Sequence, residues 1–120
     1  MSQIILTFQL DPQKDAAVQK ICTQLGIQRK NILPKDYSQK LGYLAGVQGF
    51  SREKAGASMP FSAEMLVFSG MNSDQVDAFL DAYKKTALSP VRRKAVITPS
   101  NVFWTAEALF CELTKECRFH

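Results

Sequence analysis

Apolar side chains recur along this chain with two periods, and the switch between them predicts its elements. Residues 4–9, IILTFQ, are β-branched and aromatic without a breaker and predict a strand. Asp11 and Pro12 supply a helix cap and a first-turn proline. Ala17, Val18, Ile21, Cys22 and Leu25 follow at helical spacing, and Gly26 marks the stop. Residues 27–33 return as a second strand that ends at Pro34. The same order begins again about sixty residues later. MLVFS at 65–69 predicts a strand, Asn72 with Gln75 a capping box, and Val76, Phe79, Leu80 and Tyr83 an apolar helical stripe. Residues 91–98 make a fourth strand, closed by Pro99. A last stripe, Ala106, Leu109, Phe110, Leu113 and Cys117, predicts a helix over 104–118.

Two β-α-β halves in tandem organise the chain. Pro34-Lys35-Asp36-Tyr37 falls where Pro99-Ser100-Asn101-Val102 falls in the second half, and Leu66 and Phe68 read as the mirror of Leu6 and Phe8. The expected fold is one α+β domain over 1–120. Its arrangement is the ferredoxin-like split β-α-β (βαββαβ), with a four-stranded antiparallel sheet and an added C-terminal helix. A doubly wound parallel sheet is the rival. In the ferredoxin-like frame Leu6, Phe8, Leu66 and Phe68 meet the first two helices. Ile5, Thr7, Met65, Val67 and Ser69 then form a reverse face too apolar for water, which the last helix or a second copy must cover. Residues 45–61, AGVQGFSREKAGASMPF, predict a long flexible loop between the halves and match neither glycine-rich phosphate motif.

Composition narrows the function more than it names it. The chain has 120 residues, 46% hydrophobic and 22% charged, which suits one soluble domain and neither a disordered chain nor a membrane span. Residues 1–20 lack the pattern of a secretory signal, so a cytoplasmic location is expected. Three scattered cysteines and one histidine, His120, offer no zinc spacing, no disulfide framework and no nucleophile–base pair. Cys22 and Cys111 read as small buried apolar groups. Asp74, Asp77 and Asp81 lie along one solvated helix face. No reaction, metal or cofactor is expected. The net charge of +4 collects in Arg92-Arg93-Lys94 and in the middle of the chain, where it reads as a solvated basic face.

Three stretches, QKLGYL at 39–44, MLVFSG at 65–70 and KAVITPSNVFW at 94–104, are similar to a family of small bacterial proteins designated domain of unknown function 3783. The resemblance runs over nearly the whole chain. It is most specific at Lys94…Thr98-x-x-Asn101-x-x-Trp104, and it implies kinship without a mechanism.

Chemistry singles out the same segment. Lys94 and Thr98, four apart in the predicted strand, project from one face, and Thr98, Ser100 and Asn101 crowd the joint that leads to the last helix. In a purely structural reading Pro99-Ser100-Asn101 is a turn, Thr105 caps the helix and Trp104 anchors the core. In the functional reading Lys94, Thr98, Asn101 and Trp104 surround a small anionic ligand, and Gln39 and Tyr43 approach from the first half. The expected function is a small cytoplasmic binding or regulatory module that self-associates as a homodimer. A nucleic-acid-binding βαββαβ domain and a protein–protein interaction module are the alternatives. Nucleic acid is disfavoured, because Phe8 and Phe68 share phase with core residues and no RNP1-like string is present.

Overall fold

The computed structural model describes residues 3–53 and 63–118, the last four of these as backbone alone. Four strands form one sheet: β1 (Ile4–Phe8), β2 (Gln28–Asn31), β3 (Met65–Ser69) and β4 (Arg93–Val96). The helices are α1 (Pro12–Leu25), a single turn α2 (Leu41–Leu44), α3 (Ser73–Lys84) and α4 (Ala106–Arg118), with 3-10 turns at Pro34–Asp36 and Asn101–Phe103. No helix among the described residues is long and apolar enough to cross a membrane.

The local signals act as expected. The Asp11 side chain accepts from the Lys14 amide, and Gly26 ends α1 with φ of 72°. Asn72 and Gln75 form both bonds of a capping box on α3. Every residue of β1 and β3 is buried, as strands covered on both faces must be. The edge strands carry the charge, with Arg29 and Lys30 on β2 and Arg93 and Lys94 on β4, which discourages edge-to-edge pairing.

The sheet order is β2-β1-β3-β4, and the sheet is mixed. β1 runs parallel to β2, β3 parallel to β4, and β1 antiparallel to β3. This corrects the all-antiparallel ferredoxin-like arrangement, and it is not the all-parallel rival either. In the split order a hairpin sets the second and third strands side by side, and each helix returns the chain one strand away. Here residues 32–64 join β2 to β3 with no hairpin constraint, and each helix returns the chain to the neighbouring strand.

A pseudo-twofold axis relates the halves. Ile4 and Met65, and the helix caps Asp11 and Asn72, stand 61 positions apart; beyond the first helices the offset is 65, as for Gln28 and Arg93. Leu6 lies directly opposite its own counterpart Val67 in the β1–β3 ladder. The axis passes through a second self-pairing, an isolated bridge between Lys40 and its counterpart Thr105. There the Leu41 amide donates to the Trp104 carbonyl at 2.8 Å and the Ala106 amide to the Gln39 carbonyl at 3.3 Å.

Antiparallel pairing shifts the mirror by one residue from the expected one. Leu66 and Phe68 share a face with Ile5, beneath α1 and α3, in a core with Val18, Ile21, Cys22 and Phe79. Ile4, Leu6, Phe8, Met65 and Val67 face the other way and pack with Tyr37, Leu41, Leu44 and Leu109. The reverse face is therefore covered by the chain's own α4 and by residues 32–45. Cys111 is exposed on α4 rather than buried, while Cys22 is buried as expected. Of the 45–61 loop, the described part ends at Glu53, whose backbone is bound at both polar groups by the Gln39 side chain. Residues 54–62 lie outside the described residues.

Candidate functional site

The residues expected to share a site divide between two faces. β4 ends at Val96, so Thr98 belongs to a turn and does not continue the strand face of Lys94. Lys94 points to the α3 side, where its ammonium donates to the Val91 carbonyl. Thr98 and Asn101 close a turn on each other: the Thr98 amide donates to Asn101 Oδ1 at 2.8 Å, and the Asn101 amide to Thr98 Oγ1 at 3.1 Å. Asn101 Nδ2 donates to the Val96 carbonyl, so this amide is used structurally. Thr105 Oγ1 caps α4 through the Ala108 amide. Trp104 does not anchor the core; it is 39% exposed beside Phe103.

Gln39 and Trp104 do come together, through backbone at the axis, but the Gln39 side chain is 1% exposed and committed to Glu53. Tyr43 lies under the Lys30 ammonium, 6.0 Å from its ring centre. Lys40 pairs with Glu53 and Arg52 with Asp36, both at 2.8 Å, so these two cations already face carboxylates. The open aromatic sheet face that an RNA-recognition module uses does not exist here, because helices cover both faces. Among the described residues no three His, Cys, Asp or Glu side chains gather as metal ligands would.

A different group of side chains forms a polar crevice. It lies outside the carboxyl ends of the parallel pair β1–β2, where α/β units place ligands by general rule. The crevice measures about 210 Å³ and is lined by Gln9, Asp15, Asn31, Leu33, Pro34 and Tyr37, among others. Asn31 Oδ1 accepts from the Thr7 hydroxyl at 3.2 Å. Asp15 is held by Arg29 at 2.7 Å, so its charge is balanced. Tyr37 is fully buried against Phe8, with ring centres 5.5 Å apart. Burial pushes its phenol up from the ordinary value, and a hydrogen bond with the Gln9 side chain pulls partway back.

Gln9 is, with Ala87, one of two described non-glycine residues with positive φ. Its φ is 58°, in the left-handed region that a non-glycine residue enters only at a cost of about 1 kcal/mol. Its counterpart in the second half is Gly70, with φ of 71°. The fold demands that backbone shape in both halves, and the first half meets it with a long amide side chain. Counterparts of Asn31 and Tyr37 are Val96 and Val102, so the polar groups belong to the first half alone. One signal in the sequence pointed here, the aligned Pro34–Tyr37 and Pro99–Val102 segments; Gln9 read as the end of the first strand, whereas β1 ends at Phe8.

Fold and crevice together define a mixed-sheet α+β module built on an internal twofold, with a polar crevice at the carboxyl ends of β1 and β2. Residues 64–119 match the model of a family described as Domain of unknown function (DUF3783). The match takes in MLVFSG and KAVITPSNVFW, stops short of QKLGYL, and coincides with the second half from the residue before β3 onward. The resemblance therefore holds over that half and is narrower than the whole-chain likeness expected. No curated protein and no solved structure matches the chain.

Proposed function

We propose that the protein is a small binding module that takes a neutral, polar, nucleobase-sized molecule in the β1–β2 crevice. The observation that carries the reading is Gln9, a strained residue whose side chain lines the crevice at a position where glycine serves in the other half. The crevice volume is about that of seven waters. Its amides offer donors and acceptors, its one carboxylate is already paired, and Leu33 and Pro34 supply apolar walls. Such a site favours a flat ligand without net charge.

Titration of labelled protein with uracil, adenine and glutamine, followed by NMR of side-chain amides, tests this. Saturable shifts at Gln9 and Asn31 with one of the three, lost in Gln9→Gly while the fold is kept, are expected. No saturable shift with any probe, or binding indifferent to Gln9→Gly, overturns the reading.

A further inference from the structure

The internal repeat also relates two crevices at the junctions between the halves. Each lies at the amino ends of a parallel strand pair, against the first turn of the other half's helix. One measures about 190 Å³ and is lined by Gln3, Leu25, Ile27, Gln75 and Ala78. The other measures about 350 Å³ and is lined by Lys14, Glu64, Ser89, Pro90, Arg92 and Arg93, among others. The repeat sets Glu64 at the position of Gln3, Lys14 at that of Gln75 and Arg92 at that of Ile27. One backbone arrangement therefore carries a neutral crevice at one junction and a charged one at the other.

The charges divide between two sides of the crevice. At α3 the third helical residue, Gln75, accepts from the Asn72 amide and completes the capping box. Lys14 holds that position in α1 and has no acceptor to offer. Glu64 reaches across the junction instead: its Oε2 accepts from the Asp11 amide at 3.1 Å and its Oε1 from the Lys14 ammonium at 2.6 Å. The carboxylate is thereby balanced and fixed beside α1. Two guanidinium groups complete the lining. Arg93 Nε donates to Thr114 Oγ1 at 3.0 Å, and its guanidinium carbon lies 4.9 Å from the Phe110 ring centre. Those contacts orient the fork and leave both Nη groups as donors. Arg92 is exposed and forms no ion pair with a described residue.

We infer that this junction crevice binds a sugar phosphate, its phosphate held by Arg92 and Arg93 and its hydroxyl groups turned toward Lys14 and Glu64. Planar guanidinium forks match phosphate oxygens, and the one lining carboxylate is already balanced by Lys14. The crevice has the volume of about twelve waters, of which a phosphate group displaces about two. The space that remains is lined by Lys14, Glu64 and Ser89, which offer donors and acceptors to hydroxyl groups. No described aromatic ring lines it, so a nucleobase finds no stacking partner there.

Calorimetric titration of the full chain with ribose 5-phosphate tests this, with ribose, inorganic phosphate, adenosine monophosphate and a uridylate decamer as comparisons. One saturable event with the sugar phosphate is expected, about tenfold tighter than with inorganic phosphate, and none with ribose. Arg92→Gln, at an exposed side chain, weakens binding about tenfold, and added salt weakens it further. Backbone amide shifts at Lys14, Ser89 and Arg92 locate the ligand. Absence of saturable binding overturns the inference, as does equal binding of ribose or of inorganic phosphate, or indifference to Arg92→Gln. Tighter binding of the nucleotide or of the decamer gives the surface to that ligand and overturns it too. The β1–β2 crevice reports through Gln9 and Asn31 side-chain amides, so failure at either site leaves the other standing.

Discussion

The two halves of this molecule share a backbone plan and differ in what they do with it. Both run strand, capped helix, strand, 3-10 turn and helix, and both meet at Leu6–Val67 and Lys40–Thr105. The second helix of the first half lasts one turn, Leu41–Leu44, while its counterpart α4 spans Ala106–Arg118. Gly46, with φ of 75°, turns the first-half chain away. The missing helix leaves core volume that Tyr37 fills, against Phe8, and that buried Tyr37 is what closes the first-half crevice. In the second half α4 covers the sheet with Leu109, Phe110 and Leu113, and Val102 stands where Tyr37 would. A repeated frame tolerates divergence because each copy keeps only the contacts on the axis. The rest of each half is available for a separate site.

Cutting the shared axis has the largest expected effect. Leu6→Ala costs about 2–5 kcal/mol and lowers a single urea transition for both halves, since Leu6 is wholly buried against Val67. Two separate transitions, read by probes in each half, show instead that the halves fold independently.

Alkaline pH separates the halves next. Burial pushes the Cys22 thiol up to about 11 from an ordinary value of 9.0. Between those values the unfolded chain has lost the proton and the folded one keeps it, so stability falls as pH rises from about 9 and is fully present below. The loss is on the order of 2 kcal/mol. Tyr83, the counterpart of Cys22, is also raised by burial, from 10.0, so its contribution is lost at higher pH. Urea midpoints from pH 8 to 11 check this: Cys22→Ala flattens the early part of the fall and Tyr83→Phe the later part. An early fall unchanged in Cys22→Ala contradicts the assignment.

Helix caps sharpen the comparison at about 1 kcal/mol each. Asn72→Ala costs more than Asp11→Ala, because it removes the acceptor of a reciprocal pair with Gln75. Equal losses in thermal unfolding would remove that distinction. The smallest effect is a gain. Gln9→Gly relieves left-handed strain and stabilises the fold by about 0.5 kcal/mol, while Gly70→Gln in the other half destabilises it. A loss of stability in Gln9→Gly means the Gln9–Tyr37 contact outweighs the strain.

Local chemistry was enough to find the elements. Asp11, Gly26, Asn72 and Gln75 announce their helix ends through bonds made within a few residues, and the apolar runs at 4–9 and 65–69 announce strands buried on both sides. The repeat, and the need for α4 to cover a face, were legible from the same patterns. The direction of β3 was not, because alternation along a strand is the same whether its neighbour runs with it or against it. That direction set which of Leu6 and Val67, or Leu6 and Leu66, share a face. The expected site was split by the end of β4 at Val96, which leaves Thr98 and Asn101 in a turn while Lys94 lies on the α3 side. The crevice of Gln9, Asn31 and Tyr37 gathers residues from three segments of the first half. Sequence spacing fixes what each segment is; only the sheet order fixes which ends meet.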